Sequence, residues 1–98
     1  MTVKVVFKNL DRSNSLVEYI EKKSQTLFKF LNPTANITYY VEKFAHGLKV
    51  MLAVDEKGKH FQAVAIKSNV YDGVGGVNKR ITRQLSDYHD GRNRIHGR

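Results

Sequence analysis

Hydrophobic residues recur at intervals of three and four between Ser68 and His89, at Val70, Val74, Val77, Ile81, Leu85 and Tyr88. At about 100° per residue these six fall on one narrow stripe, which predicts a helix docked on a core along that side. Lys79, Arg80 and Arg83 lie off the stripe, on its flank and back. The helix that docks therefore also turns three positive charges outward, and by themselves they read equally as a solvated face or as a binding surface.

Near the N-terminus, Val3, Val5 and Phe7 alternate with Lys4, Val6 and Lys8, the period of two expected of a strand. A polar connection follows from Asn9 to Ser15. Ser13 and Ser15 both offer N-cap chemistry, and Ser15 with Glu18 has the spacing of a capping box. Leu16, Ile20, Leu27 and Leu31 then make an apolar stripe flanked by Val17 and Phe28, which predicts a helix running to about Leu31. Asn32-Pro33 stops it, because the proline ring disfavours helical geometry at the preceding residue.

Three strands are expected next, over Ala35 to Lys43, Leu48 to Asp55 and His60 to Lys67, joined by hairpin-sized breaks that each carry a glycine. Ile37, Tyr39 and Val41 can share a face with Leu48, Val50, Leu52 and Val54, while Phe61, Ala63 and Ala65 give helices a surface to rest on. A right-handed crossover makes the first two strands parallel and the hairpins make the others antiparallel. Both helices must then cover one face, since neither stripe has another place to be buried. The expected fold is an α+β two-layer sandwich, β-α-β-β-β-α, with a four-stranded mixed sheet. We divide the chain into a domain over residues 1–89 and, where the apolar period ends, a basic flexible tail over 90–98.

Composition narrows the function. At 98 residues there is room for one small core. Seventeen Lys and Arg against nine Asp and Glu give a net charge of +8, which favours a polyanionic partner, nucleic acid before an anionic membrane. No segment approaches the apolar length of a spanning helix and the N-terminus lacks a signal peptide's apolar core, so a cytoplasmic protein is expected. The absence of cysteine removes disulfides, thiolate nucleophiles and Cys-based zinc sites together.

Several pieces in register carry a family resemblance. Val70-Tyr71, Val74, Arg80-Ile81 and Arg83-Gln84-Leu85 resemble the closing helix of the ribosome hibernation-promoting factor family, which includes ribosome-associated inhibitors. Leu16, Glu18-Tyr19-Ile20, Lys23, Leu27 and Lys29 resemble its first helix, and Phe61-Gln62-Ala63-Val64-Ala65 its last strand. The resemblance spans Val3 to His89 and matches the short form, without the additional C-terminal dimerisation domain of long members. It implies a fold like that of double-stranded RNA-binding domains. It also implies a monomeric translation silencer seated in the tRNA and mRNA channel of the small ribosomal subunit, on its rRNA.

Carried over residue by residue, the resemblance places RNA-binding positions at Lys23, Lys29, Arg80 and Arg83. Lys22 and Lys79 join them on charge and position, and Arg92 as a cation of the tail. Asp87, His89 and Thr26 stand where the family is commonly basic and thin the patch, while Glu18, one turn before Lys22, would partly neutralise it. Gly73, Gly75 and Gly76 crowd the start of the second helix, which predicts a frayed or later beginning.

Other signals point less far. Gly73-Val-Gly-Gly-Val-Asn-Lys79 lacks the spacing of a phosphate-binding loop, and the four histidines share no ligand spacing with each other or with a carboxylate. No cofactor, metal or small-molecule substrate is expected, and no catalytic motif points to an enzyme. Tyr19, Phe28 and Phe30 read as core flanks more readily than as stacking platforms for bases. Two alternatives to the ribosome reading stay open. One is a general double-stranded RNA-binding module. The other is a protein-interaction module using the uncovered sheet face, where Val6, Tyr40, Met51, Val64 and Ile66 should lie.

Overall fold

The computed structural model describes residues 2–97, with side chains described from Thr2 to Tyr88. Its elements are β1 (Thr2–Lys8), α1 (Asn14–Phe28), β2 (Asn36–Phe44), β3 (Gly47–Glu56), β4 (Lys59–Lys67) and α2 (Val70–Gly97). The sheet runs β1-β2-β3-β4, parallel between β1 and β2 and antiparallel beyond, as the crossover and the hairpins require.

Register settles which side chains meet. Ile37 pairs with Val54, Tyr39 with Leu52 and Val41 with Val50. Leu52 and Val50 pair in turn with Ala63 and Ala65, so one face is apolar across three strands. Leu16, Ile20 and Leu27 of α1 and Val74, Val77, Ile81 and Leu85 of α2 close over it as one buried cluster. On the other face, Val6, Tyr40, Met51 and Val64 form a half-buried row across all four strands, and Ile66 beside them is 60% exposed.

One of the two expected caps starts α1, whereas α2 starts earlier than expected. Ser13 caps α1, its hydroxyl accepting from the Leu16 N–H at 3.3 Å, so the cap is not Ser15 and Ser15–Glu18 is not the capping box. The α-helix ends at Phe28, and Phe30 and Leu31 continue it only as a tighter turn by donating to the Leu27 and Phe28 carbonyls. Pro33 acts several residues beyond that end.

α2 begins at Val70, before its glycines rather than after them. Asn69 explains this. Its carboxamide oxygen accepts from the Asp72 N–H at 2.9 Å, and its amide nitrogen donates to the Asp72 carboxylate at 3.0 Å. The first turn thus has a cap and an acidic residue at its positive end. Gly73 serves packing: a Cβ there would lie 2.6 Å from Val50 Cγ2, so its absence lets α2 settle onto β3. The helical backbone also passes the expected end near His89 and continues to Gly97.

Candidate nucleic-acid interface

The two helices lie side by side on the sheet and are joined by a buried side chain. Asn78 of α2 is 8% exposed; its Oδ1 accepts the hydroxyl of Tyr39 in β2 at 2.5 Å, and its Nδ2 donates to the Lys23 carbonyl of α1 at 3.3 Å. Burial raises the pKa of Tyr39 well above its ordinary value, with the bond to Asn78 acting in the opposite direction. The phenol therefore stays protonated and keeps donating. Lys23 on α1 and Lys79, the residue after Asn78, flank this contact, and both side chains are exposed.

Other positions extend the seam. Tyr19 meets Tyr71 edge-on with ring centroids 4.7 Å apart, and the Lys23 ammonium sits 5.6 Å from the Tyr19 centroid. Tyr19 and Phe30 pack partly buried against the core, whereas Phe28 is 37% exposed. Lys22 and Lys29 are seven residues apart on or just beyond α1, which puts both on its outer side, and both are exposed. Where α1 ends, Phe30, Lys79, Arg80, Thr82 and Arg83 line one depression, with Asp87 at the same place. The structure thus gathers Lys79, Arg80 and Arg83 around Phe30. Lys23 and Lys22 lie further along α1, and Lys29 lines an adjoining cleft beside the β3–β4 turn. The Arg92 side chain lies outside the described residues.

Arg80 differs from its neighbours. Its Nη1 donates to the Val64 carbonyl, and Gln84, one turn on, donates to the Gln62 carbonyl at 2.9 Å. Both acceptors belong to β4, an edge strand of the sheet, so these side chains cover part of a row of otherwise unpaired backbone groups. Lys79 and Arg83 make no hydrogen bond or ion pair among the described residues. The only ion pair among those residues joins His60 and Asp55, so Glu18 does not hold Lys22.

Sequence reasoning passed over Asn69 and Asn78, and over Lys57 and Lys59, which line the end cleft with Lys29. A polar residue beside the apolar stripe, between Val77 and Ile81, was the available signal for Asn78. Among the described residues no helix is long and apolar enough to cross a membrane.

Fold and surface together define a small α+β domain that buries one side of its helices on a sheet and presents lysines and arginines on the other. Residues 3–93 match the family described as sigma 54 modulation protein / S30EA ribosomal protein, and the chain belongs to that family. The resemblance to hibernation-promoting factors read from the helices and last strand is thereby borne out. No curated protein matches the chain. Among solved structures it is similar to the N-terminal domain of Thermus thermophilus Protein Y, with a TM-score of 0.80 and 18% identity, covering 90% of this chain and 99% of that one. It is also similar to a ribosomal subunit interface protein from Coxiella burnetii, with a TM-score of 0.79 and 23% identity, covering 92% and 99%. At these identities the likeness is one of fold.

Proposed function

We propose that this chain is a ribosome-binding translation silencer that acts by occupancy and not by catalysis. A monomer in the cytoplasm lays the outer side of α1 and α2 against rRNA of the small subunit and blocks the tRNA and mRNA channel of idle ribosomes. The observation that carries this is the convergence of Lys79 and Arg83, exposed and with no ion pair among the described residues, with Phe30 in one depression beside the helix seam, in a chain of net charge +8 that belongs to a ribosomal protein family. Lys22, Lys23 and Lys29 extend the positive surface along α1, and Arg80 adds to it from α2; Arg92 joins the proposal on its charge in the sequence alone.

The physical mechanism needs no base reading. Lysine and arginine contacts to phosphates fix position and orientation, while a folded RNA cleft supplies the shape that distinguishes it from other RNA. The same charge would also suit a free RNA duplex, so the partner must be tested against one. Sucrose-gradient sedimentation with purified ribosomes should carry the protein into the small-subunit peak, and an equal concentration of duplex RNA should not displace it. The variant Lys79→Glu/Arg83→Glu should stay at the top of the gradient with an unchanged circular dichroism spectrum. Undiminished binding by that variant would remove α2 from the interface, and displacement by the duplex would favour the general RNA-binding reading.

A further inference from the structure

At the β3–β4 turn end of the sheet, the turn after α1 faces the β3–β4 turn, with Ser86 and Tyr88 of α2 beside them. Lys29, Lys57 and Lys59 line the cleft between these elements, and all three are exposed. We propose that this cleft is a second RNA contact, which takes the phosphodiester backbone of an unpaired strand that continues past Phe30 from the helix seam. The inference rests on the reading of the helix seam as an RNA surface and adds to it the residues Lys57 and Lys59.

Charge balance is the first argument. Among the described residues Glu56 is the cleft's one carboxylate, and it is turned to the chain itself, where its Oε2 accepts the Asn32 N–H at 2.5 Å. The end of α1 presents the negative pole of its dipole here, but Lys29 stands at the C-cap, and with Lys57 and Lys59 it makes the local sum positive among the described residues. Two of the three lysines, Lys29 and Lys59, are also held in place. The Lys29 ammonium lies 5.3 Å from the Phe30 ring centroid and that of Lys59 lies 6.0 Å from the Tyr88 centroid. These cation–π contacts leave the ammonium hydrogens able to donate.

Backbone conformation is the second. Glu56 pairs with Lys59 across a two-residue turn in which Lys57 has φ 47° and Gly58 φ 77°. Two successive positive φ values make a type I′ turn, whose first position favours asparagine, aspartate or glycine. A lysine there is strained, and strain of this kind is retained where the side chain has a use. It carries a positive charge to the tip of the hairpin. The third argument is continuity. Phe30 and Ser86 line both this cleft and the depression holding Lys79 and Arg83, so a strand leaving the seam enters the cleft directly.

The test removes the two new charges without harming the turn, as Lys57→Asn/Lys59→Gln, and compares an equal loss of charge at the opposite end of the sheet, Lys43→Gln/Lys67→Gln. Binding is measured to purified ribosomes by co-sedimentation and to a fluorescein-labelled oligouridylate by anisotropy. The cleft variant should bind both about 5- to 10-fold more weakly at moderate salt and lose about 1.4 from the slope of log affinity against log salt for the oligouridylate, whereas the control changes less than about twofold. Equal losses in the two variants would reduce the effect to net charge and overturn the proposal. Weakened ribosome binding with unchanged oligouridylate binding would overturn it in favour of an acidic protein surface. If the unmodified chain does not sediment with ribosomes, the ribosome reading falls and the oligouridylate comparison alone decides the cleft.

Discussion

The Tyr39 hydroxyl donates to Asn78 Oδ1 at 2.5 Å inside the core, and the amide nitrogen of the same asparagine reaches the Lys23 carbonyl at 3.3 Å. One side chain thereby ties the sheet to α2 and α2 to α1, fixing the distance between the helices that carry the basic residues. Asn78→Ala strands the Tyr39 hydroxyl without its acceptor and should destabilise the fold by about 1–3 kcal/mol. Tyr39→Phe should cost less, because Asn78 keeps its bond to Lys23. Urea unfolding of the single and double variants should show non-additive losses, since the pair shares one bond. Additive losses would mean that the bond contributes nothing to stability.

Gly73 and Gly75 should respond in opposite senses to the same change. A Cβ at Gly73 meets Val50 Cγ2 at 2.6 Å, while one at Gly75 meets nothing within 4 Å. Alanine gains about 1 kcal/mol of helix propensity at either position. At Gly73 overpacking of about 1–3 kcal/mol opposes that gain. Gly75→Ala should therefore raise the melting temperature and Gly73→Ala lower it, with Val50→Ala relieving the contact in the double variant. A higher melting temperature for Gly73→Ala alone would show that α2 does not rest on β3 as closely as the structure draws it.

The contrast between those glycines shows what the sequence could convey. Periodicity identified both helices, all four strands and the buried stripe from Val74 to Leu85, because burial repeats at intervals that a chain must display. The sequence showed three glycines weakening a helix; it did not show that Gly73 faces Val50, which depends on how two elements approach in space. Asn69 and Asn78 were obscure for related reasons. A cap competes with neighbouring polar residues, and a buried asparagine is recognisable only once Tyr39 and Lys23 are placed around it. The candidate site was legible as charge, whereas the turning of Arg80 onto the edge of β4 required the sheet order.

Solution pH should act through His60. Its ring nitrogens lie 2.7 Å from Asp55 Oδ1 and 3.1 Å from Gln62 Oε1, and Gln62 Nε2 donates to Met51 Sδ, which fixes the amide so that its oxygen faces the ring. Hydrogen bonding to Asp55 first, then to Gln62, with a smaller attraction from the Asp55 charge, raises the His60 pKa against a slight effect of burial. A raised folded-state pKa stabilises the fold fully below the unfolded value of about 6.5, and that contribution is lost as pH rises through the folded value. The melting temperature of the unmodified chain relative to Asp55→Asn should therefore fall from weakly acid to weakly alkaline pH. A constant difference over that range would show that the pair is not formed in solution.

Stability and binding should separate along α2, because Ile81 is fully buried and Arg83 is exposed two residues away. Ile81→Ala removes part of the stripe packed on the sheet and should destabilise by about 2–5 kcal/mol, while ribosome affinity, measured where the variant remains folded, changes little. Arg83→Ala should do the reverse. It should leave the urea midpoint nearly unchanged, weaken ribosome binding, and lower the dependence of log affinity on log salt by about 0.7–0.9 if the guanidinium neutralises one phosphate. The two measurements together distinguish a surface that holds RNA from a helix that merely has to be folded. If Arg83→Ala weakened binding only in proportion to lost stability, or left the salt dependence untouched, the positive charge on α2 would be a solvated face and the contact would have to be sought elsewhere on the molecule.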